Sequence, residues 1–309
     1  MTVRLAVTGG GGFIGAQFIK QASQHDVTPR VHVGPSGTSC AEDLRHLDPL
    51  YGDICDRNML RSLVDGTDVV VHLAGPASVS ASFEDPVSCV IAHTAGTAAV
   101  LEACRDAKVQ RIVYISSAEV YGNPTSSPVA EDAPLAARSP YGAAKIAAEE
   151  LVRLYGAVHG LDVCILRLFS VYGPGQNDRS VLSSIIRQAR TSGTIRLFDL
   201  TPTRDYVYVA DVATAIWASI AHAQPLGAGR TFNVGSGVGT TVADLAQTVL
   251  SVLALETPVE QASFTDRPRH GSIGTLVADT SAIREALLWK PRFELAAGVA
   301  KTLDQWTDA

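Results

Sequence analysis

The stretch TGGGGFIG, residues 8–15, decides the fold of this chain. It follows an apolar, β-branched run that predicts a buried strand, and it leads into a segment of helical periodicity. Gly9 permits a tight turn, Gly12 lets the backbone approach a pyrophosphate, and Gly15 lets the helix pack close to the strand. A pyrophosphate would then lie at the helix N-terminus, where free N–H groups favour negative charge. The stretch therefore predicts a dinucleotide site.

Apolar runs alternate with longer helical segments through the first half of the chain. This alternation predicts an α/β fold with a Rossmann-type, doubly wound parallel sheet. Right-handed crossovers would place the carboxyl ends of the strands along one edge, where ligands bind. The predicted strands are 3–8, 30–34, 69–74, 111–116 and 163–168, and the predicted helices are 15–24, 97–107 and 141–158.

The alternation breaks after residue 172, where we expect a smaller, discontinuous α/β lobe to begin. A helix over 181–190, a short strand over 195–199 and a strand over 231–235 are predicted, and two further helical stretches are expected after Thr241. We assign residues 1–172, with 206–235 returning, to a dinucleotide-binding domain. Residues 173–205 and 236–309 are assigned to the smaller, substrate-binding lobe.

Composition limits the possible partners. The chain has 309 residues with 46% hydrophobic and 18% charged residues, as is ordinary for a soluble globular protein. The formal charge of −6 leaves no basic face for nucleic acid or anionic lipid, so neither partner is expected. The five cysteines form no Cys-x-x-Cys pair, which predicts reduced thiols and no metal site. No apolar run is long enough for a membrane span, and a strand begins at once, so we expect no signal peptide and a cytoplasmic protein.

The choice between NAD and NADP depends on the end of the second strand, RVHVGPSG, residues 30–37. Gly34 stands where an acid would bind the adenosine ribose. No arginine follows to favour a 2′-phosphate. Asp53 and Ile54, after the third strand-like stretch, are candidates for holding the adenine. We expect NAD, and Gly34 leaves NADP open.

The stretch SPYGAAK, residues 139–145, places Tyr141 and Lys145 on one face of a helix. An ammonium beside a phenol stabilises the phenolate and lowers its pKa. Such a tyrosine can remove a proton from a sugar hydroxyl while hydride leaves the same carbon for nicotinamide. Together with the dinucleotide motif and with Ser117 at a strand end, the pair predicts oxidation of an alcohol carbon.

These motifs resemble those of the extended short-chain dehydrogenase/reductases, in particular the NAD-dependent nucleotide-sugar epimerase/dehydratase family. The resemblance covers almost the whole chain, with its motifs in a fixed order. The motifs are TGGGGFIG (8–15), GDI (52–54), HLAG (72–75), ISSAEVYG (115–122), SPYGAAK (139–145), LRLFSVYGPGQ (166–176), TRDYVYVADVA (203–213), FNVGSG (232–237) and LLWKPRFEL (287–295).

The resemblance implies a role for particular residues. It makes Ser117, Tyr141 and Lys145 the catalytic trio, with Lys145 also positioning the nicotinamide ribose. It implies that Arg204 and Arg267 bind the diphosphate of a UDP- or dTDP-linked sugar. Asp205 would orient the loop beside Arg204. Further cofactor contacts are implied for Phe13, Ile14, Leu73, Ala74 and Gly75.

Members of the family often dimerise through the helix that carries Tyr141 and the helix before it. The earlier helix is rich in alanine over residues 94–107, which suits a close contact between helices. The resemblance therefore implies a homodimer.

Three positions depart from the family pattern. Gly34 replaces the usual acid after the second strand. His93 and Ser170 replace two usual asparagines, which indicates an altered substrate pocket in which Ser170 contacts the substrate. We interpret His93 as a packed histidine rather than a catalytic one.

Glu119 divides the possible reactions. A 4-epimerase oxidises the sugar at C4 and returns the hydride to the other face, which requires only Ser117, Tyr141 and Lys145. A 4,6-dehydratase of the family carries an Asp-Glu pair where this chain has Ala118 and Glu119. A uronate decarboxylase carries Ser-Glu there.

We expect a 4-epimerase. A dehydratase or UDP-glucuronate-type decarboxylase that uses Glu119 stays open, as does an NADPH-consuming reductase. A regulator that binds the dinucleotide without catalysis is the alternative from another class.

Overall fold

The computed structural model describes residues 3–35, 42–262 and 273–306, so the expected ligand Arg267 lies outside the described residues. Within the described part the strands follow one another as short, mostly buried segments. They are β1 Leu5–Thr8, β2 Arg30–Val33, β3 Leu50–Tyr51, β4 Val69–His72, β5 Arg111–Ser117, β6 Asp162–Leu168, β7 Ser170–Tyr172, β8 Ile195–Leu197, β9 Thr203–Tyr208, β10 Ala228–Val234, β11 Gly239–Thr241, β12 Val259–Gln261 and β13 Thr275–Leu276.

The helices of the described residues lie between these strands. They are α1 Phe13–Lys20, α2 Arg57–Val64, α3 Val79–Glu84, α4 Pro86–Asp106, α5 Pro140–His159, α6 Val181–Thr191, α7 Val209–Ala221, α8 Val242–Leu253, α9 Ser281–Leu287 and α10 Leu295–Asp304. Short 3-10 turns cover Ala22–His25, Glu42–Leu47 and Ala118–Tyr121.

The main sheet has seven strands in the order β10-β6-β5-β4-β1-β2-β3, and all of its pairs are parallel. The order reverses beside β1, as in a doubly wound fold. The predicted α/β class and Rossmann-type sheet are confirmed. The carboxyl ends of β1, β4 and β5 meet beside this reversal, which is where such folds bind ligands.

Two helical layers bury the faces of this sheet. On one side α1 and α7 pack together, with the rings of Phe18 and Trp217 4.8 Å apart. On the other side α2, α4 and α5 cover the strands. Each residue of β1 and β4 is buried, which explains why those strands appear in the sequence as unbroken apolar runs.

Three helical predictions need correction. The helix predicted over 97–107 is only the second half of α4, which begins at Pro86. The first helix does not run over 15–24: α1 ends at Lys20, and the 3-10 turn Ala22–His25 follows. The expectation of two helices after Thr241 was wrong, because the described residues contain three, α8, α9 and α10. The missed helix, α9, has seven residues and buries only Ile283 and Leu287, so it carries too short a pattern for periodicity to detect.

A second, four-stranded sheet contains β11, β9 and β13, with β7 also pairing with β9. A two-stranded sheet joins β12 to β8. The chain thus enters the second sheet at Ser170, directly after β6, and returns to the main sheet at β10. The division into two lobes at the boundaries given above stays a prediction.

Asp205 ties the second sheet to the loop after β10. Its buried carboxylate accepts hydrogen bonds from the backbone N–H groups of Ser236 (2.6 Å), Gly237 (2.8 Å) and Ala278 (3.1 Å). Burial raises the pKa of Asp205, and these hydrogen bonds oppose that rise. The carboxylate therefore fixes the strand that presents Arg204.

Replacing Asp205 by alanine should destabilise the protein by about 3 kcal/mol or more, because three N–H groups lose their acceptor and such groups cost about 1–3 kcal/mol each when buried. Urea unfolding measures the change. The control is Asp106→Ala, which removes an exposed ion pair with Arg105 and should change stability by less than about 1 kcal/mol. Equal losses in the two variants would contradict this role of Asp205.

Candidate active site

The glycine turn forms one wall of a cavity of about 370 Å³ at the carboxyl edge of the main sheet. Gly9 has a φ of 72°, a conformation that favours glycine, and Gly12 is the N-cap of α1 with no side-chain hydrogen bond to the helix. A Cβ on Gly15 would lie only 2.4 Å from the carbonyl oxygen of Gly9. The helix N-terminus is thus left open toward the cavity, as a bound pyrophosphate requires.

His32 holds the glycine turn through a hydrogen bond to its backbone. The sequence did not predict this role. The buried ring of His32 accepts a hydrogen bond at Nδ1 from the N–H of Gly9 (3.3 Å) and lies 3.1 Å from the carbonyl oxygen of Gly52 through Nε2. A carbonyl only accepts, so Nε2 carries the hydrogen. Burial lowers the pKa of His32, which keeps the ring neutral. The histidine therefore links β1, β2 and the segment after β3.

The cofactor residues expected from sequence fall into two groups. The cavity is lined by Gly9, Gly12, Phe13, Ile14, Gly15, Leu73 and Gly75, together with Tyr141 and Lys145. Asp53, Ile54 and Ala74 do not line it. Asp53 accepts the N–H of Cys55 (2.8 Å), while Ile54 packs in the core under Gly96.

Helix α5 presents Tyr141 and Lys145 to the same cavity. Ser139 caps the helix, and Pro140 occupies its first position, so the sequence sets the helix start directly before the tyrosine. Ser117 lines the same cavity, and its side chain acts to lower the pKa of Tyr141. The Nζ of Lys145 donates to the carbonyl of Ile115 (2.7 Å) and lies 5.9 Å from the centre of the Tyr141 ring. The structure thus brings the expected trio together.

The protonation of this pair differs from the expectation that Lys145 would lower the pKa of Tyr141. Burial raises the pKa of Tyr141 to about 12, against the opposing effect of the Ser117 side chain. Burial also lowers the pKa of Lys145 to about 8. Burial dominates both shifts because the two groups lie out of solvent. When one proton is lost, the pair can exist as amine with phenol or as ammonium with phenolate, so the loss belongs to the pair rather than to one group.

Glu119, in the 3-10 turn after β5, and Arg204, on β9, both line the cavity. Burial raises the pKa of Glu119, and the charge of Arg204 opposes that rise. Arg204 donates to the carbonyls of Thr203, Gly274 and Ile273 at 2.9–3.1 Å. A guanidinium has five N–H groups, so three held by carbonyls among the described residues leave two for other acceptors. The three backbone carbonyls therefore hold the guanidinium in place beside the cavity.

His93 and Ser170, the two departures from the family pattern, also line the cavity. His93 is buried, its Nε2 donates to the carbonyl of Pro76 (2.9 Å), and its ring meets Tyr141 edge-on with centres 5.3 Å apart. Burial, with the nearby charge of Lys145, lowers the pKa of His93 to about 3. The ring is therefore neutral and packed, in agreement with its interpretation from sequence.

Comparison with known proteins agrees with this geometry. The model of the NAD dependent epimerase/dehydratase family matches residues 5–235. The chain belongs to this family. A UDP-glucose 4-epimerase of Mycolicibacterium smegmatis is 33% identical over 98% of both chains. A dTDP-glucose 4,6-dehydratase of Streptomyces niveus is 30% identical over 99% of this chain and 93% of its own.

Among solved structures, the UDP-glucuronic acid 4-epimerase of Bacillus cereus, in complex with UDP-glucuronic acid and NAD, has a TM-score of 0.88. It is 26% identical, over 98% of both chains. As a member of the epimerase/dehydratase family, the chain is an enzyme that uses NAD. The open N-terminus of α1 at Gly12 and the close approach at Gly15 fit the pyrophosphate of that cofactor.

Replacing Gly15 by alanine should weaken NAD binding roughly tenfold or more, about 1.4 kcal/mol, because the new Cβ would push the turn away from α1. Titration calorimetry with NAD measures the affinity. Gly193→Ala is the matched control, since a Cβ at that position meets no atom within 4 Å and Gly193 does not line the cavity. Unchanged affinity in the Gly15 variant would contradict the assignment of the turn to the cofactor.

Proposed function

We propose that this chain is a nucleotide-sugar 4-epimerase that acts on a UDP- or dTDP-linked sugar with bound NAD. One observation carries the proposal: Ser117, Tyr141 and Lys145 line the same cavity as the glycine turn. Relatives that act on such sugars at C4 support the substrate class. The intact trio and the family's catalytic character give the non-catalytic regulator no support.

In this proposal Tyr141 removes the proton of the C4 hydroxyl as its phenolate, and Ser117 hydrogen-bonds the same oxygen. NAD, held by the glycine turn, would supply the acceptor for the hydride of C4 and its source on return. Lys145 positions the nicotinamide ribose and, as an ammonium, stabilises the phenolate. The 4-keto sugar then rotates in the site, so that hydride returns to the opposite face of C4. Tyr141 returns the proton to the oxygen. The product differs from the substrate only at C4, so atoms and electrons balance.

The substrate's diphosphate would be bound by Arg204, whose two remaining N–H groups suit bidentate contact with a phosphate. Ser170 also lines the cavity and would contact the substrate from β7, which pairs with the strand that carries Arg204. Arg267 stays a proposed second phosphate ligand outside the described residues. The site then lies between the main sheet and the segments assigned to the smaller lobe.

A second candidate function is elimination of water or carbon dioxide after C4 oxidation. Glu119 favours it, because its carboxylate faces the cavity with a raised pKa, which suits a base. Ala118 counts against loss of water, since a methyl group cannot donate a proton to a leaving C6 hydroxyl; it also differs from the serine that the uronate decarboxylases carry at this position. We therefore place epimerisation first.

The test is to incubate the purified protein with UDP-glucose and with UDP-glucuronate in heavy water and to weigh each product. We expect an isomer of unchanged mass with no deuterium at carbon. Tyr141→Phe should lower the rate by roughly a thousandfold, as for loss of a general base, whereas Glu119→Gln should keep the reaction type. Loss of water or carbon dioxide, or deuterium at C5, would instead support the second candidate.

We also propose that the protein is a cytoplasmic homodimer that pairs through α4 and α5. Apolar side chains are exposed on the outer faces of both helices: Val87 and Ile91 on α4, and Leu154 and Val158 on α5. Helix α4 is long and apolar enough to cross a membrane by length and composition, but half of that stretch is buried inside the protein. A helix contact between two copies would cover the exposed half.

Replacing Ile91 by aspartate should shift the protein from dimer to monomer, because the contact would bury an unpaired carboxylate. Size-exclusion chromatography with light scattering measures the mass. Val238→Asp is the control: it changes an equally apolar, exposed residue outside these helices and should leave the dimer intact. A wild-type protein that runs as a monomer would refute the proposed pairing.

A further inference from the structure

A buried carboxylate, Glu149, lies beneath the cavity, and the proposed mechanism does not use it. Its side chain is fully buried. Oε1 accepts hydrogen bonds from Ser116 Oγ (2.6 Å) and Arg167 Nε (2.9 Å). Oε2 accepts from Arg167 Nη2 (2.7 Å) and from Arg153 Nη2 (2.9 Å). Four hydrogen bonds thus fix one carboxylate at the centre of α5.

Glu149 continues the face of α5 that carries the catalytic pair. Tyr141, Lys145 and Glu149 are spaced four residues apart, so their side chains share one side of the helix. Two neighbouring residues near the end of β5 hold the second and third of these side chains. The Ile115 carbonyl accepts a hydrogen bond from Lys145, and the Ser116 hydroxyl donates one to Glu149. These two bonds fix the position of the helix along the strand.

The surroundings of Lys145 contain few other charges. The titratable side chains around Lys145 are His72 on β4, Cys89 and His93 on α4, Tyr114 on β5 and Tyr141 on its own helix. Arg167 on β6 is next in distance, since it pairs with Glu149. Burial keeps both histidines neutral. Among the described residues, Glu149 is the carboxylate whose charge acts on the ammonium of Lys145.

We propose that Glu149 is a positioning residue, which acts through Lys145 by holding the ammonium charged and in register with the end of β5. The inference rests on the proposed function, since it concerns the same site.

The consequence is electrostatic. When the Tyr141–Lys145 pair loses one proton, it exists either as neutral amine with phenol or as ammonium with phenolate, and only the second form can act as base. A negative charge one turn from Lys145 favours the second form. In keeping with this, Glu149 opposes the lowering of the Lys145 pKa by burial. Arg167 and Arg153, which both pair with Glu149, neutralise its charge in part and work against this effect.

The experiment compares Glu149→Gln, Arg153→Gln and Glu150→Gln in the full chain. The Nζ of Lys145 is titrated by NMR, with Lys145→Met used to assign the signal, and the pH profile of kcat/KM is recorded in parallel. Glu149→Gln should move the Lys145 titration to lower pH by about one unit or more, while Arg153→Gln should move it to higher pH. The matched control, Glu150→Gln, alters an exposed carboxylate that also pairs with Arg153, and it should leave the titration unchanged.

Opposite shifts in the first two variants support the proposal, because a merely structural role would not reverse sign. No shift, or shifts in the same direction, would overturn it. If Glu149→Gln does not fold, Arg153→Gln decides alone, since its side chain is partly exposed: a shift to higher pH supports the proposal and no shift overturns it. The NMR titration needs no turnover, so failure of the proposed epimerase reaction is seen separately in the kinetic assay.

Discussion

The hydrogen bond from Lys145 Nζ to the carbonyl of Ile115 is the contact on which the site depends. It holds α5 against the carboxyl end of β5, where the ends of the parallel strands meet. Because this bond fixes the helix along the strand, Tyr141 lies beside Ser117 and faces the glycine turn. A slip of one residue would turn the tyrosine away from the cavity, and neither the proposed base nor the cofactor wall would remain.

The same docking removes the pair from solvent, with a chemical consequence. A phenol and an amine buried together both resist ionisation, so the tyrosine has a high pKa and the lysine a low one. The base is then available only when a proton leaves the pair and the ammonium–phenolate form is favoured. Neighbouring charges, rather than the two residues alone, decide how much of that form exists.

Much of the fold was predictable because its signals are local. The strand, the glycine turn and the helix start follow one another within TGGGGFIG, and the four-residue spacing of Tyr141 and Lys145 gives their shared face. His32 was not predictable, since it joins Gly9 to Gly52 only after three strands have paired. The pKa of Tyr141 also escaped the sequence, because spacing shows the neighbouring lysine but not the burial.

The motif that contains Glu119 does not determine what this carboxylate does. The sequence placed it near the trio, and the structure places it in the cavity opposite Arg204, yet a carboxylate there serves equally as a base, as a hydrogen-bond acceptor for the sugar or as a partner for the arginine. What separates the reactions is the neighbouring residue. Ala118 is buried and apolar, so it cannot act as the acid that the dehydratases carry at this position.

The central claim is that one site oxidises C4 and returns the same hydride. The most direct measurement mixes a UDP-sugar carrying deuterium at C4 with an unlabelled UDP-sugar that carries a heavy-isotope tag elsewhere, and weighs the epimers. If the hydride returns within one site, deuterium stays at C4 of the molecule that carried it. Loss of deuterium to water, or its appearance in the tagged sugar, would rule this out, because the hydride would then leave the site between its removal and its return.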